Sequence, residues 1–144
     1  MRDDDGSAAL EFITVGVILL VPLVYLIIAL GAIQEQTLGV EAAARHVART
    51  IALAPDPATA AATSERVLAD VSGQYGIDEG STGLTVTCFP AGAACPSAGA
   101  IVTVTITASV ALPLMPAVFG SDTAAAIGVE GSAVQKVSRL WGTG

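Results

Sequence analysis

Few side chains in this 144-residue sequence could do chemistry, and their spacing narrows what that chemistry is. Cys88 and Cys95 bracket the turn-rich stretch Phe-Pro-Ala-Gly-Ala-Ala. Two thiols, with the lone histidine His46 far off in sequence, fall short of the four ligands a structural zinc site takes. A pair this close reads instead as a disulfide closing a short loop in an oxidising compartment, with free thiols as the alternative. Asp78 and Glu79 are adjacent carboxylates on a Gly-rich turn and read as solvated loop charges. A glycine-rich phosphate loop, a metal-ligand cluster and a Ser-His-Asp set are all lacking, so nothing supplies a nucleophile with its base. The expectation is a protein that is not an enzyme and takes no cofactor and no metal. Six Lys and Arg against thirteen Asp and Glu give a formal charge of −7, which argues against nucleic acid as a partner.

The remaining group is Glu11, at the lip of an apolar run. Drawing a carboxylate into lipid costs up to about 2.5 to 3.5 kcal/mol at the bilayer centre, so an acid stationed there implies a cationic partner. The plainer reading is an interfacial Glu favoured by the positive end of a helix macrodipole.

The element that positions Glu11 is the run itself. From Phe12 to Ile33 there are 22 residues without a charge, fifteen of them Leu, Ile, Val or Phe. As a helix this spans about 33 Å against a hydrocarbon core of about 30 Å. Insertion is worth roughly −5 to −9 kcal/mol before Gly, Pro and Thr subtract. Pro22 is expected to bend the helix without breaking it. The composition agrees, with 53% hydrophobic residues, 13% charged and a mean hydropathy of +0.70. One competing reading is the core helix of a soluble protein, but about 110 remaining residues could hardly wrap a helix apolar on every face. The other is a secretory signal cleaved near Ala29-Leu30-Gly31, releasing a soluble domain. Against it stand an acidic Arg2-Asp3-Asp4-Asp5 start and a run longer than the usual 7 to 15 residues. For orientation, Arg2 on one side and Arg45 and Arg49 on the other point the distal domain inward, while the cysteine pair points it outward.

Just before the run stands Gly6-Ser7-Ala8-Ala9-Leu10-Glu11, which resembles a type IV pilin-type leader junction. The resemblance implies that a prepilin peptidase cuts after Gly6 on the cytoplasmic side, making Ser7 the first residue and Glu11 the fifth. It also implies that Glu11 pairs with the freed amine of its own or a neighbouring chain and sets subunit register. The finer resemblance is to the TadE and TadG-like proteins of tight-adherence (Flp) pilus systems, in their short actinobacterial form. It is carried by GSAALEF at 6–12, the apolar run, and EAAARHVARTIALAPD at 41–56, over a third of the chain. Ser7, where many major pilins open on Phe, fits a minor pilin or pseudopilin. The implied partners are membrane lipid, the peptidase, other pilin-like subunits and the Tad/Flp secretion machinery. The implied location is the bacterial cytoplasmic membrane, single-pass, with a cytoplasmic N-terminus and an extracytoplasmic head. Losing the leader removes one Arg and three Asp, taking the formal charge from −7 to −5.

The expected architecture is an α+β, pilin-like chain: leader 1–6, transmembrane helix 7–34, and a head over 35–144. Val40, Ala43, Ala44, Val47 and Ile51 trace an apolar stripe that carries the helix on into water as a stalk, about 35–54, ending before Pro55. Asp56 and Pro57 open a second helix, about 57–72, which Gly73 is expected to end. Alternation of apolar and hydroxylic residues predicts half-buried strands at about 84–89 and 101–112. A third, at about 125–138, is weakened by Gly128 and Gly131, with a bulge expected there. The sheet's apolar face, Val102, Val104, Ile106 and Val110, is expected to lie over Val47 and Ile51. Residues 112–119, Leu-Pro-Leu-Met-Pro-Ala-Val-Phe, are unusually apolar for a loop. They read either as packing under the sheet or as a subunit or membrane-surface contact.

Overall fold

A computed structural model describes residues 4–77, 79–91, 94–112 and 126–141, with side chains of 4–7 and 79 left aside. Residues 1–3 of the expected leader and most of the apolar 112–119 stretch therefore lie outside the described residues, as does Asp78. The apolar run and the stripe beyond it share one helix, α1, from Asp4 to Leu53, which is 50 residues long and continues through Pro22. Thr14 and Thr37 fold their hydroxyls back onto the carbonyls of Leu10 and Ile33, so neither polar group is left unpaired on an apolar segment.

Asp56 opens α2 (Pro57–Tyr75), its extended backbone letting one carboxylate oxygen accept the Thr59 N–H at 2.8 Å and the other the Thr59 hydroxyl at 2.7 Å. These bonds, the backbone one first, hold the Asp56 carboxyl below its ordinary pKa. Contrary to the expected stop at Gly73, the helix runs to Tyr75. There Gly76 takes the left-handed conformation (φ 62°, ψ 30°), and the Ile77 N–H donates to the Ser72 carbonyl at 2.8 Å. Two tertiary contacts carry α2 past Gly73. Tyr75 lies so close to Gly39 that a Cβ there would stand 2.9 Å from its ring. Gln36 donates from Nε2 to the carbonyls of Tyr75 and Gly76 at 3.4 and 3.2 Å, supplying partners that a helix C-terminus otherwise lacks.

After a short 3₁₀ turn at Glu79–Ser81 come β1 (Gly83–Phe89), β2 (Ile101–Ala111) and β3 (Ala126–Lys136), an antiparallel sheet in the order β1-β2-β3. β2 alternates buried and open along its whole length. Its buried Val102, Val104, Ile106, Ala108 and Val110 share a core with Val40, Val47 and Ile51 of α1, and with Ala60 and Val71 of α2. The expected bulge in β3 is not there: pairing with β2 runs unbroken from Ile101 opposite Lys136 to Ala111 opposite Ala126. Gly131 serves a different purpose. A Cβ on it would stand 2.6 Å from the Glu41 backbone nitrogen, so this is where the strand presses onto the α1 backbone. The architecture is α+β: a long apolar helix, a second helix and three antiparallel strands.

Candidate functional site

The residues singled out by sequence fall in two places that do not meet. Cys88, near the end of β1, is joined to Cys95 in a disulfide with Cα atoms 5.7 Å apart. It closes the loop that leads from β1 into β2, and Pro96, next to Cys95 in the chain, is buried. Among the described residues no group of three or more His, Cys, Asp and Glu is placed to hold a metal ion. The cleft beside the disulfide is lined by Ile51, Ala60, Ser64, Leu84, Val86 and Pro96, and its volume is about 220 Å³. That is below the roughly 300 to 1,000 Å³ of small-molecule sites, and its lining is mostly apolar, with Ser64 and Glu65 as its polar side chains.

The other place is the first half of α1. Gly6 and Ser7 lie in its first turn by backbone, and Glu11 follows on the same helix, exposed. Ser7 and Glu11 are four residues apart, so they share a face one turn from each other. From Leu10 to Leu30 nearly every large apolar side chain is open; Phe12 is 81% exposed. This is the one described helix long and apolar enough to cross a membrane, with a mean hydropathy of 2.9 in its most apolar window. A soluble core helix buries such a surface against its own chain, whereas only 6% of this window is buried.

The apolar surface of this helix is not uniformly open, and nothing in the sequence signals it. Tyr25 is half-buried and Ala29 is buried, while Leu26, Ile28 and Leu30 beside them are exposed. The Tyr25 hydroxyl oxygen is shut off from solvent without a hydrogen-bond partner among the described residues. Ile33 and Val40 continue the same covered face up into the core. Periodicity could not find it, because the residues on both sides are equally apolar.

Comparison with family models, with curated proteins and with solved structures finds no match to this chain.

Proposed function

We propose that the chain is a TadE-like minor pilin or pseudopilin, a membrane subunit that assists assembly of a tight-adherence (Flp, type IV) pilus after processing by prepilin peptidase. The observation that carries this reading is Gly6 followed five residues later by Glu11, on a helix that then presents an open apolar surface of membrane-spanning length.

Cutting the Gly6–Ser7 bond frees an α-amine one helical turn from the Glu11 carboxylate. The two charges then lie within reach in the same chain or between neighbours, and their pairing lowers the cost of holding an acid beside lipid. Gly6 makes the bond easier to reach, since glycine costs a helix about 1 kcal/mol relative to alanine and the first turn opens readily. The N-terminus is then cytoplasmic and the head extracytoplasmic, where the Cys88–Cys95 disulfide persists. The open face of α1 packs with other pilin-like helices and with lipid, and the Tad/Flp secretion machinery is the assembly partner.

Co-expression with a prepilin peptidase tests the processing step: intact mass falls by residues 1–6 and sequencing starts at Ser7. Glu11→Leu strengthens the apolar run but deletes the pairing charge, so insertion and leader removal persist while filament assembly drops. Normal piliation in that variant would refute the role of Glu11. A second reading, an uncleaved single-pass protein whose head binds an extracytoplasmic partner, is favoured by the helical backbone running straight across Gly6–Ser7. It predicts no mass change beside an active peptidase.

A further inference from the structure

We infer that the end of the sheet where β2 finishes and β3 begins is seated in the interfacial layer of the membrane leaflet beside α1, so that lipid is a ligand of the head as well as of the helix. This rests on the membrane reading of α1 and not on the pilus reading.

The direction of β3 sets the level of that sheet end. Gly131 presses on α1 at Val40 and Glu41, and a cleft farther along is lined by Arg49, Ala52 and Leu53 together with Gln135 and Lys136. Strand and helix therefore run side by side in the same sense. Going back from Gly131 to Ala126 is five residues, about 16 Å of strand, which matches about eleven residues of helix. That places the start of β3 near the level of Ala29, below Gln34, the first polar residue after the apolar run.

Burial along α1 changes near the same level. Ala29 is only 7% exposed, although Leu30 beside it is 52% exposed, and Tyr25 one turn below is half-buried. One face of α1 is therefore closed at a depth where its other faces are open, and the core of the head reaches down to Ile33, one turn above Ala29. The membrane has no spare room below that level. The part of the run below the sheet end, Leu10 to Ala29, spans about 30 Å as a helix, the full thickness of the hydrocarbon. Sliding the bilayer farther down would draw Glu11 and the aspartates before it into lipid.

The sheet end has the composition such a position requires. β1 pairs with β2 only as far as Thr107, so Ala108–Ala111 and Ala126–Val129 project beyond it as a two-stranded ribbon without a charge. Ile127 is exposed there, although its partner Val110 is buried. Among the described residues no strand pairs with the ribbon's outer edges, whose backbone groups hydrocarbon would not tolerate but headgroups and interfacial water satisfy. That sets the depth at the headgroup–acyl boundary.

Depth-dependent quenching of tryptophan by brominated acyl chains tests the inference. The full chain is reconstituted in phosphatidylcholine vesicles with its only tryptophan changed, Trp141→Phe, and one new tryptophan placed at a time. Leu19→Trp reports the middle of the span and Val134→Trp the distal sheet. Ala126→Trp and Ala111→Trp, both at exposed positions on the ribbon, report the proposed contact and back each other up should one fail to fold. The expected result is quenching at 126 and 111 several-fold stronger than at 134, greatest with bromines high on the acyl chain. Quenching at 19 with none at 126 and 111 overturns the inference and leaves the anchor standing. A blue-shifted but unquenched tryptophan at 126 means that protein covers the ribbon, which also overturns it. No quenching at 19 removes the membrane reading on which the inference depends, and the inference with it.

Discussion

Gly131 sits where the chain has no room for a side chain. A Cβ there would approach the Glu41 nitrogen at 2.6 Å, the Val40 carbonyl carbon at 2.7 Å and the Glu41 Cα at 2.8 Å, all helix backbone that cannot turn aside. Gly128, three residues away on the same strand, has open space around it. The two glycines should therefore respond oppositely. Gly131→Ala should lower stability by on the order of 2 kcal/mol, in the range of overpacking elsewhere, or part β3 from α1. Gly128→Ala should be neutral or stabilising by up to about 1 kcal/mol, because glycine weakens a strand interior. Urea unfolding in detergent micelles separates the pair, and equal effects would show that Gly131 is not the point of closest approach. Sequence marks both positions alike as weak points in a strand, and only the crossing with α1 tells them apart. The cysteines differ in this respect, because their pairing is written in short-range spacing.

At the scale of elements, α2 shows how local signals and tertiary contacts divide the work. Its start is legible, since Asp56 and Pro57 satisfy and pre-shape the first turn without help from the rest of the chain. Its end is not, because Gly73 and Gly76 are both adequate stops. The choice falls to Tyr75 against Gly39 and to Gln36 at the last carbonyls, residues about forty positions away. The cap carries a pH signature. Asp56 is held below its ordinary pKa, first by the Thr59 N–H and then by the Thr59 hydroxyl, so the ionised form is favoured in the folded state. A depressed folded pKa gives stability that is complete above the unfolded pKa and is lost as pH falls through the folded one. Asp56→Ala should therefore lower Tm at neutral pH, and its deficit should shrink as the solution is made strongly acidic. Asp56→Asn keeps a capping oxygen, so it should melt near the wild type at neutral pH while losing this part of the acid dependence. Thermal melts across that range check the sign, and a deficit for Asp56→Ala that grows with acid would contradict it. The strands are legible for a related reason. Alternation in β2 fixes which face is buried, and one such strand between two partners sets the sheet.

Across the whole molecule, α1 does two jobs with one helix, and the boundary between them is softer than sequence suggests. Hydropathy divides the run from the stripe at Gln34, yet the core of the head takes in Ile33, and Ala29 and Tyr25 below it are covered as well. The reason is geometric: β3 is long enough to travel back along the helix past the end of the apolar run, and no local pattern in either element records the overlap. A fragment spanning 34–144 puts this overlap to the test. It retains Gln36, the Val40 to Ile51 stripe, both sheet faces and the disulfide, so it should unfold cooperatively on heating. It also loses the helical turns that lie against the sheet end, leaving that end open as an apolar patch. Such a fragment, though acidic overall, should float with uncharged phosphatidylcholine vesicles, and the binding should persist at high salt because burial of apolar surface rather than charge drives it. Ala126→Asp, at an exposed site on the ribbon, should abolish flotation without lowering the melting temperature appreciably. A folded fragment that stays in solution would mean that the sheet end has no affinity of its own for lipid, and that α1 alone holds the chain at the membrane.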